Sequence, residues 1–354
     1  MPLGALTLLL ALGASFFCFR QPHVATPAAP ARRAEAGWYS LYFTEPTDPA
    51  SETLRGGPDQ ALADAIDEAR YSVDVAIFDL DLWSVRDALL RAARRGVAVR
   101  LVTDTENMQE PEIAALVEAG IPVVGDRRDP LMHHKFVILD RLDVWTGSMN
   151  FTVSSAYRDN NNLIRLRSTE VAEDFAGEFE EMFTEDRFGA LSRADTPHPL
   201  VAIGGHQVEV LFSPDDGVAV RILELVQSAQ TSIDMLAYSF TSDAIGNALL
   251  ERAGAGVRVR VVVDEGQMAA TGSEYARLRQ AGIDIRLDGN EGSMHHKVII
   301  LDGAIVLTGS YNFTRSAEEY NDEAVLILHD PELARQYLEE FERLYVLAGQ
   351  PRLP

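Results

Sequence analysis

The stretch HHKFVILDRLDVWTGSMNF, His133–Phe151, returns as HHKVIILDGAIVLTGSYNF, His295–Phe313, an offset of 162. The likeness extends well outside these two segments. YSVDVAIFDLD at Tyr71–Asp81 matches TSIDMLAYSFT at Thr231–Thr241, and ALLRAARRGVAVRLVTD at Ala88–Asp104 matches ALLERAGAGVRVRVVVD at Ala248–Asp264, both offset by 160. AGIPV at Ala119 matches AGIDI at Ala281, offset by 162. The second half therefore holds a two-residue insertion between Asp264 and Glu274. Each copy spans roughly 150 residues, too long for a solenoid repeat, so the chain is a duplicated domain.

Both copies read alike. A short apolar run (Val73–Phe78; Ile233–Tyr238) predicts a buried strand. A helix follows, with apolar residues at helical spacing and a glycine at its end (Gly96; Gly256). Next comes a β-branched strand (Val97–Thr103; Val257–Val263), then a helix ending at Gly120 or Gly282. FVIL and VIIL are continuous apolar runs, as strands covered on both faces should be. A last strand and an amphipathic helix (Glu170–Phe183; Pro331–Tyr345) complete each copy. Alternating strands and helices predict an α/β layered fold. The expected units are residues 37–195 and 205–350, with a linker near Ser192–His206. Trp38, Tyr39, Tyr42 and Phe43 read as a core strand in preference to a lipid entrance.

Within each motif the pattern is H-x-K-x4-D-x6-G-S-x-N: His133, Lys135, Asp140, Gly147, Ser148 and Asn150, then His295, Lys297, Asp302, Gly309, Ser310 and Asn312. Residues two apart on a strand share a face, so each histidine projects with its lysine, and His134 and His296 turn away. An ammonium, an amide and a hydroxyl beside an imidazole suit a phosphate. Lys135, Lys297, Ser148, Asn150, Ser310 and Asn312 are the expected phosphate-binding set. Imidazole is a nucleophile or proton carrier near neutral pH. Two copies facing one phosphate supply an attacking imidazole and a protonating one, which neither half has alone. Asp140 and Asp302 complete the motif and count with the catalytic set, although alternation turns them off the His–Lys face and favours a role in shaping the site.

This duplicated pattern resembles the phospholipase D superfamily, over nearly everything after residue 37. The resemblance implies two α/β/α repeats related by a pseudo-twofold axis, with the active site at their interface. It implies a phosphodiesterase acting through a phosphohistidine, without metal or cofactor, and a monomer, because both half-sites lie in one chain. In many members an acidic residue about fourteen positions past the GSxN glycine holds each histidine. Here Glu323 takes that place in the second half and Asn161 in the first. Members resembling tyrosyl-DNA phosphodiesterase also pair one histidine with an amide and the other with a carboxylate. A carboxylate beside His295 favours imidazolium, a general acid, and an amide beside His133 leaves it neutral and nucleophilic, so His133 reads as the nucleophile and His295 as the acid, then the base for water. The expected catalytic residues are His133, His295, Lys135, Lys297, Asp140, Asp302 and Glu323.

The substrate is not fixed by these motifs. The net charge is −23, and the first 36 residues hold three arginines against one glutamate, so the acidity lies in the body. Such a body disfavours nucleic acid, whose binding requires many Lys and Arg contacts. The second half also resembles the small bacterial nuclease of this superfamily, so a nonspecific endonuclease stands as an alternative. A third reading is a cardiolipin-synthase-like phosphatidyltransferase. A phospholipid at a membrane surface is the favoured substrate, its head-group phosphodiester the bond cleaved. Leu3–Phe19 is apolar or small and precedes an Ala/Pro-rich stretch, so residues 1–36 read as a signal peptide or membrane anchor with a linker. Export or anchoring is expected. The one cysteine, Cys18, lies in that run, and no Cys/His cluster has zinc spacing.

Overall fold

A computed structural model describes residues 31–349. The first half contributes strands β1 (Ala31–Ala36), β2 (Tyr39–Thr44), β3 (Ser72–Ile77), β4 (Ala98–Thr103), β5 (Val123–Gly125), β6 (Lys135–Leu139), β7 (Asp143–Gly147) and β8 (Asn162–Arg167). The second contributes β9 (Leu200–Ile203), β10 (His206–Ser213), β11 (Ser232–Ala237), β12 (Arg258–Val263), β13 (Asp284–Leu287), β14 (Lys297–Leu301), β15 (Ile305–Gly309) and β16 (Glu323–His329). Each set forms one mixed eight-stranded sheet, ordered β1-β2-β8-β7-β6-β3-β4-β5 and β9-β10-β16-β15-β14-β11-β12-β13. The orders are the same, position for position. β3 runs parallel to β4 and antiparallel to β6, as β11 does to β12 and β14.

Helices of the first half are α1 (Pro58–Glu68), α2 (Trp83–Arg94), α3 (Pro111–Glu118), α4 (Val153–Tyr157) and α5 (Thr169–Phe183). Those of the second are α6 (Val218–Ser228), α7 (Asp243–Gly254), α8 (Tyr275–Gln280), α9 (Arg315–Glu319) and α10 (Pro331–Ala348). The first three of each half cover the outer face of its own sheet, where Val73, Val75 and Leu89, or Ile233, Met235 and Leu249, are buried. The inner faces point at each other. Phe136 and Ile138 of β6, Val298 and Ile300 of β14, and the apolar stripes of α5 (Phe175, Phe179) and α10 (Tyr337, Phe341) form one shared core. Alternation explains the division: Val75 faces out and Ala76 faces in. The seam is thus largely apolar packing contributed by both halves, which fixes one half against the other.

Two expectations require correction. Residues 31–36, expected within the N-terminal linker, form β1, antiparallel to β2, and Arg32 ion-pairs with Glu45 and Glu340. Similarly the linker region up to His206 contains β9, which turns through Gly204 and Gly205 into β10. The second unit begins at Leu200, not at residue 205. The expected signal or anchor segment, with Cys18, lies almost wholly outside the described residues. Tyr39, Tyr42 and Phe43 are buried on β2, as the strand reading required.

A candidate active site across the seam

His133 and His295 stand just before β6 and β14, and Lys135 and Lys297 open those strands. All four are buried, the lysines almost fully (0% and 1% exposed). Each ammonium donates to its own histidine's carbonyl, Lys135 to His133 at 2.7 Å and Lys297 to His295 at 2.8 Å. The two halves bring these groups together: His133 feels both lysine charges, and so does His295. His134 and His296 point away into the seam, onto Glu178 (2.8 Å) and Glu340 (3.2 Å).

Backbone pairing across the seam sets this geometry. The segment before each histidine pairs with the segment after the other half's motif. His133 N–H donates to the Asp322 carbonyl (3.0 Å), and Asp322 N–H to that of Leu131 (3.0 Å). His295 N–H donates to Asn160 (2.9 Å), and Asn160 N–H to Ser293 (2.8 Å). The residue after each pairing position is therefore delivered to the opposite histidine. Glu323 lies against His133, with Nδ1 to Oε2 at 2.7 Å. Asn161 Oδ1 accepts from His295 Nδ1 at 3.0 Å, and the Ser148 carbonyl lies 3.1 Å from the same nitrogen. The expected partners are crossed: the carboxylate holds His133, not His295. In both cases Nδ1 is engaged, which leaves Nε2 for the pocket.

Ser148 and Ser310 also correct an expectation. Both are fully buried behind the histidines. Ser148 Oγ donates to Asn161 Oδ1 (2.8 Å) and accepts from Asn162 N–H (3.1 Å). Ser310 accepts from Ala324 N–H (3.0 Å) and hydrogen-bonds Glu323. Their hydroxyls are engaged with the histidines' partners. The preceding glycines permit this close approach. Gly147 and Gly309 have φ of 149° and 152°. A Cβ there would lie 2.4 Å from the Asn162 carbonyl oxygen, or 2.1 Å from that of Ala324. Asn150 and Asn312 remain suited to a ligand. Each is half-buried, with an amide oxygen that has no partner among the described residues.

Asp140 and Asp302 leave the catalytic set. Each ends its strand with a left-handed φ of 53°. Asp140 accepts the N–H groups of Arg70 (2.9 Å), Tyr71 (2.6 Å) and Ser72 (3.0 Å), and Asp302 those of Gln230 (2.9 Å), Thr231 (2.7 Å) and Ser232 (3.0 Å). They tie the start of β3 or β11 to the end of the motif strand, at the far end from the histidines.

Burial dominates the electrostatics. It pushes His133 and His295 well below the ordinary imidazole range, reinforced by the two lysines. It pushes Lys135 down to about 7, opposed by Glu323 and Asp79. Lys297 is pushed down by burial and then by Lys135. Glu323 is pushed up to about 7 by burial, opposed by Lys135. Two buried lysines thus face few buried carboxylates, a balance that suits the negative charge of a phosphate. Among the described residues no group of three His, Cys, Asp or Glu side chains is arranged to hold a metal. Sequence reasoning missed two aromatics, Phe78 beside His133 and Tyr238 beside His295. They occupy matching places in the two copies, and that match was the available signal.

Comparison with known proteins adds the family. The family model described as "Cardiolipin synthase, PLD-like domain" matches residues 62–183 and again 222–345, once per half. The chain belongs to the phospholipase D superfamily. A mitochondrial cardiolipin hydrolase of Xenopus tropicalis is 42% identical over 130 residues, 37% of this chain and 62% of that protein. A phospholipase D of Rickettsia prowazekii is 37% identical over 134 residues, 38% of this chain and 65% of that one. The chain therefore spans about 62–65% of the length of these relatives. The crystal structure of a phosphatidylserine synthase from Haemophilus influenzae superposes with a TM-score of 0.62 over 90% of this chain and 88% of that one, at 13% identity. That likeness carries the two-repeat fold.

Proposed function

We propose that this chain is a phosphodiester hydrolase of the phospholipase D type that cleaves the head-group phosphodiester of glycerophospholipids. The observation that carries it is the crossed seam: two buried His–Lys pairs act on one another across it, and only one of their histidines has a carboxylate partner. The likeness to a phospholipase D and to cardiolipin hydrolases supports a lipid substrate. The acidic body weighs against a polynucleotide.

His133 is the nucleophile, for a reason opposite to the one read within a single half. Glu323 accepts its Nδ1–H, which fixes the lone pair on Nε2 and makes that nitrogen more basic. Phosphorylated His133 carries positive charge on its ring, which the carboxylate neutralises. His295, held by a neutral amide, is the stronger acid once protonated. Substrate phosphate supplies the negative charge that lets it carry a proton on Nε2. His133 Nε2 bonds to phosphorus. The bond to the head-group oxygen breaks, and that oxygen takes its electron pair and the His295 proton. Water then attacks phosphorus and gives its proton to His295. The P–N bond breaks, and its electron pair returns to His133. Lys135 and Lys297 stabilise charge on the non-bridging oxygens.

The matched family description supports a second reading, in which an alcohol replaces water and the enzyme is a phosphatidyltransferase. The N-terminal apolar run would serve to export or tether the enzyme at its substrate. No helix among the described residues is long and apolar enough to cross a membrane. Purified protein assayed with chelator on phosphatidylcholine vesicles and on plasmid DNA tests the reading. Release of free head group without DNA nicking is expected, and nicking without lipid turnover would overturn it.

A further inference from the structure

The two sides of the pocket are chemically different. Phe78 directly follows β3 and Tyr238 directly follows β11. Phe78 lies edge-on to His133 at 5.2 Å and over Lys135 Nζ at 5.3 Å. Tyr238 lies edge-on to His295 at 4.6 Å and over Lys297 Nζ at 4.8 Å. Both rings are partly exposed, each beside its own half's histidine and lysine. Tyr238 adds a hydroxyl. Its oxygen accepts from Gln267 Nε2 (3.2 Å) and keeps a second lone pair that an ammonium N–H can use. Burial and then Asp264 and Asp159 hold it protonated.

The crossed segments extend the difference. Where the His133 side has Arg128 and Asn321, the His295 side has Asn290 and Asp159 at matching positions. Arg128 is ion-paired with Asp322. Asp159 accepts from Ser293 N–H (2.9 Å), two residues before His295. Asp159 and Asp264 both act on the Lys297 charge. Beside them opens a cavity of about 360 Å³, lined by Asp159, Asp264, Asn290 and Ser293 among others.

We propose that Tyr238 and Asp159 are the head-group specificity residues, selecting a leaving group that bears an ammonium and rejecting one that bears a second phosphate. This rests on the phospholipid reading and on His295 as the acid, which puts the leaving alcohol on its side. An ammonium gains from the Asp159 carboxylate and an aromatic wall. A phosphate there meets the same carboxylate as a like charge. At a spacing of about 6 Å and intermediate dielectric, one such charge is worth about tenfold in each direction. Cardiolipin, whose leaving group carries a phosphate, is the disfavoured substrate.

The test is kcat/KM for phosphatidylethanolamine and for cardiolipin, each dilute in neutral detergent micelles. It uses the wild type, Tyr238→Phe and Asp159→Asn, with heat-denaturation midpoints to establish that each variant is folded. The wild type is expected to prefer phosphatidylethanolamine by about tenfold or more. Asp159→Asn brings the ratio close to one. Tyr238→Phe lowers the value for phosphatidylethanolamine about fivefold more than for cardiolipin. A wild type that prefers cardiolipin overturns the proposal, as do variants that slow both lipids equally, since a structural role would do that. If neither lipid is turned over while plasmid DNA is nicked, the phospholipid reading itself has failed, and this proposal with it.

Discussion

Replacing Glu323 by Gln removes the charge beside His133 and little else. The side chain is fully buried, and glutamine keeps its length and its neighbours Ser310 and Asn321. What is lost is the ionic component of the 2.7 Å contact with Nδ1. A hydrogen bond to a charged group contributes about 1.5–3 kcal/mol net, so phosphorylation of His133 should slow about 10- to 100-fold. If the glutamine turned its NH2 group to the ring, the wrong tautomer would result and the loss would approach about 10⁴-fold. The assay is a rapid-quench single turnover of an activated aryl phosphodiester, which needs no acid. Glu323 is pushed up to about 7, so the carboxylate is lost as pH falls through about 7, and the wild-type rate should fall with it. That acid limb should vanish in Glu323→Gln. A variant that forms the phosphoenzyme at the wild-type rate, with an unchanged acid limb, would refute the reasoning.

Lys135→Ala or Lys297→Ala should lower turnover about 10²–10³-fold with little change in the unfolding midpoint, and near-normal turnover would remove that lysine from the site. Because Lys135 is pushed down to about 7, its charge is lost as pH rises through about 7, so wild-type kcat/KM should also fall on the alkaline side and peak near neutrality. Activity should survive a chelator, since the two lysines already provide the positive charge; loss restored by a divalent ion would contradict this. Asp140→Ala should cost roughly 1–3 kcal/mol in denaturant unfolding, from three backbone N–H groups losing their acceptor, with turnover largely kept. Phe136→Ala, in the shared core, should cost about 3–5 kcal/mol by the same measurement.

The duplication was legible because each copy repeats its apolar runs, glycines and motif in register. Helices expected at Glu170–Phe183 and Pro331–Tyr345 occur at Thr169–Phe183 and Pro331–Ala348. The shared face of His133 and Lys135 followed from strand alternation alone. The first hairpin of each sheet was not legible. Its outer strands β1 and β9 are short and carry exposed positions, so ARRAEA and LVAI read as linker. The crossing of Asn161 and Glu323 was hidden for a different reason. Their backbone hydrogen bonds run to the other half, and residues about 130–190 positions away leave no local signal of their pairing. The roles of Ser148 and Ser310 followed the same error: donors were aimed at a phosphate when the nearest acceptors were the histidines' own partners.

The central claim is that His133 attacks and His295 passes the proton. His295→Ala, given an aryl phosphodiester whose leaving group needs no acid, should phosphorylate His133 and then stall without a base for water. His133→Ala should trap nothing. Mass spectrometry of the quenched protein locates the adduct. It is expected on His133 in the His295→Ala protein. An adduct on His295, formed by His133→Ala, would contradict the claim.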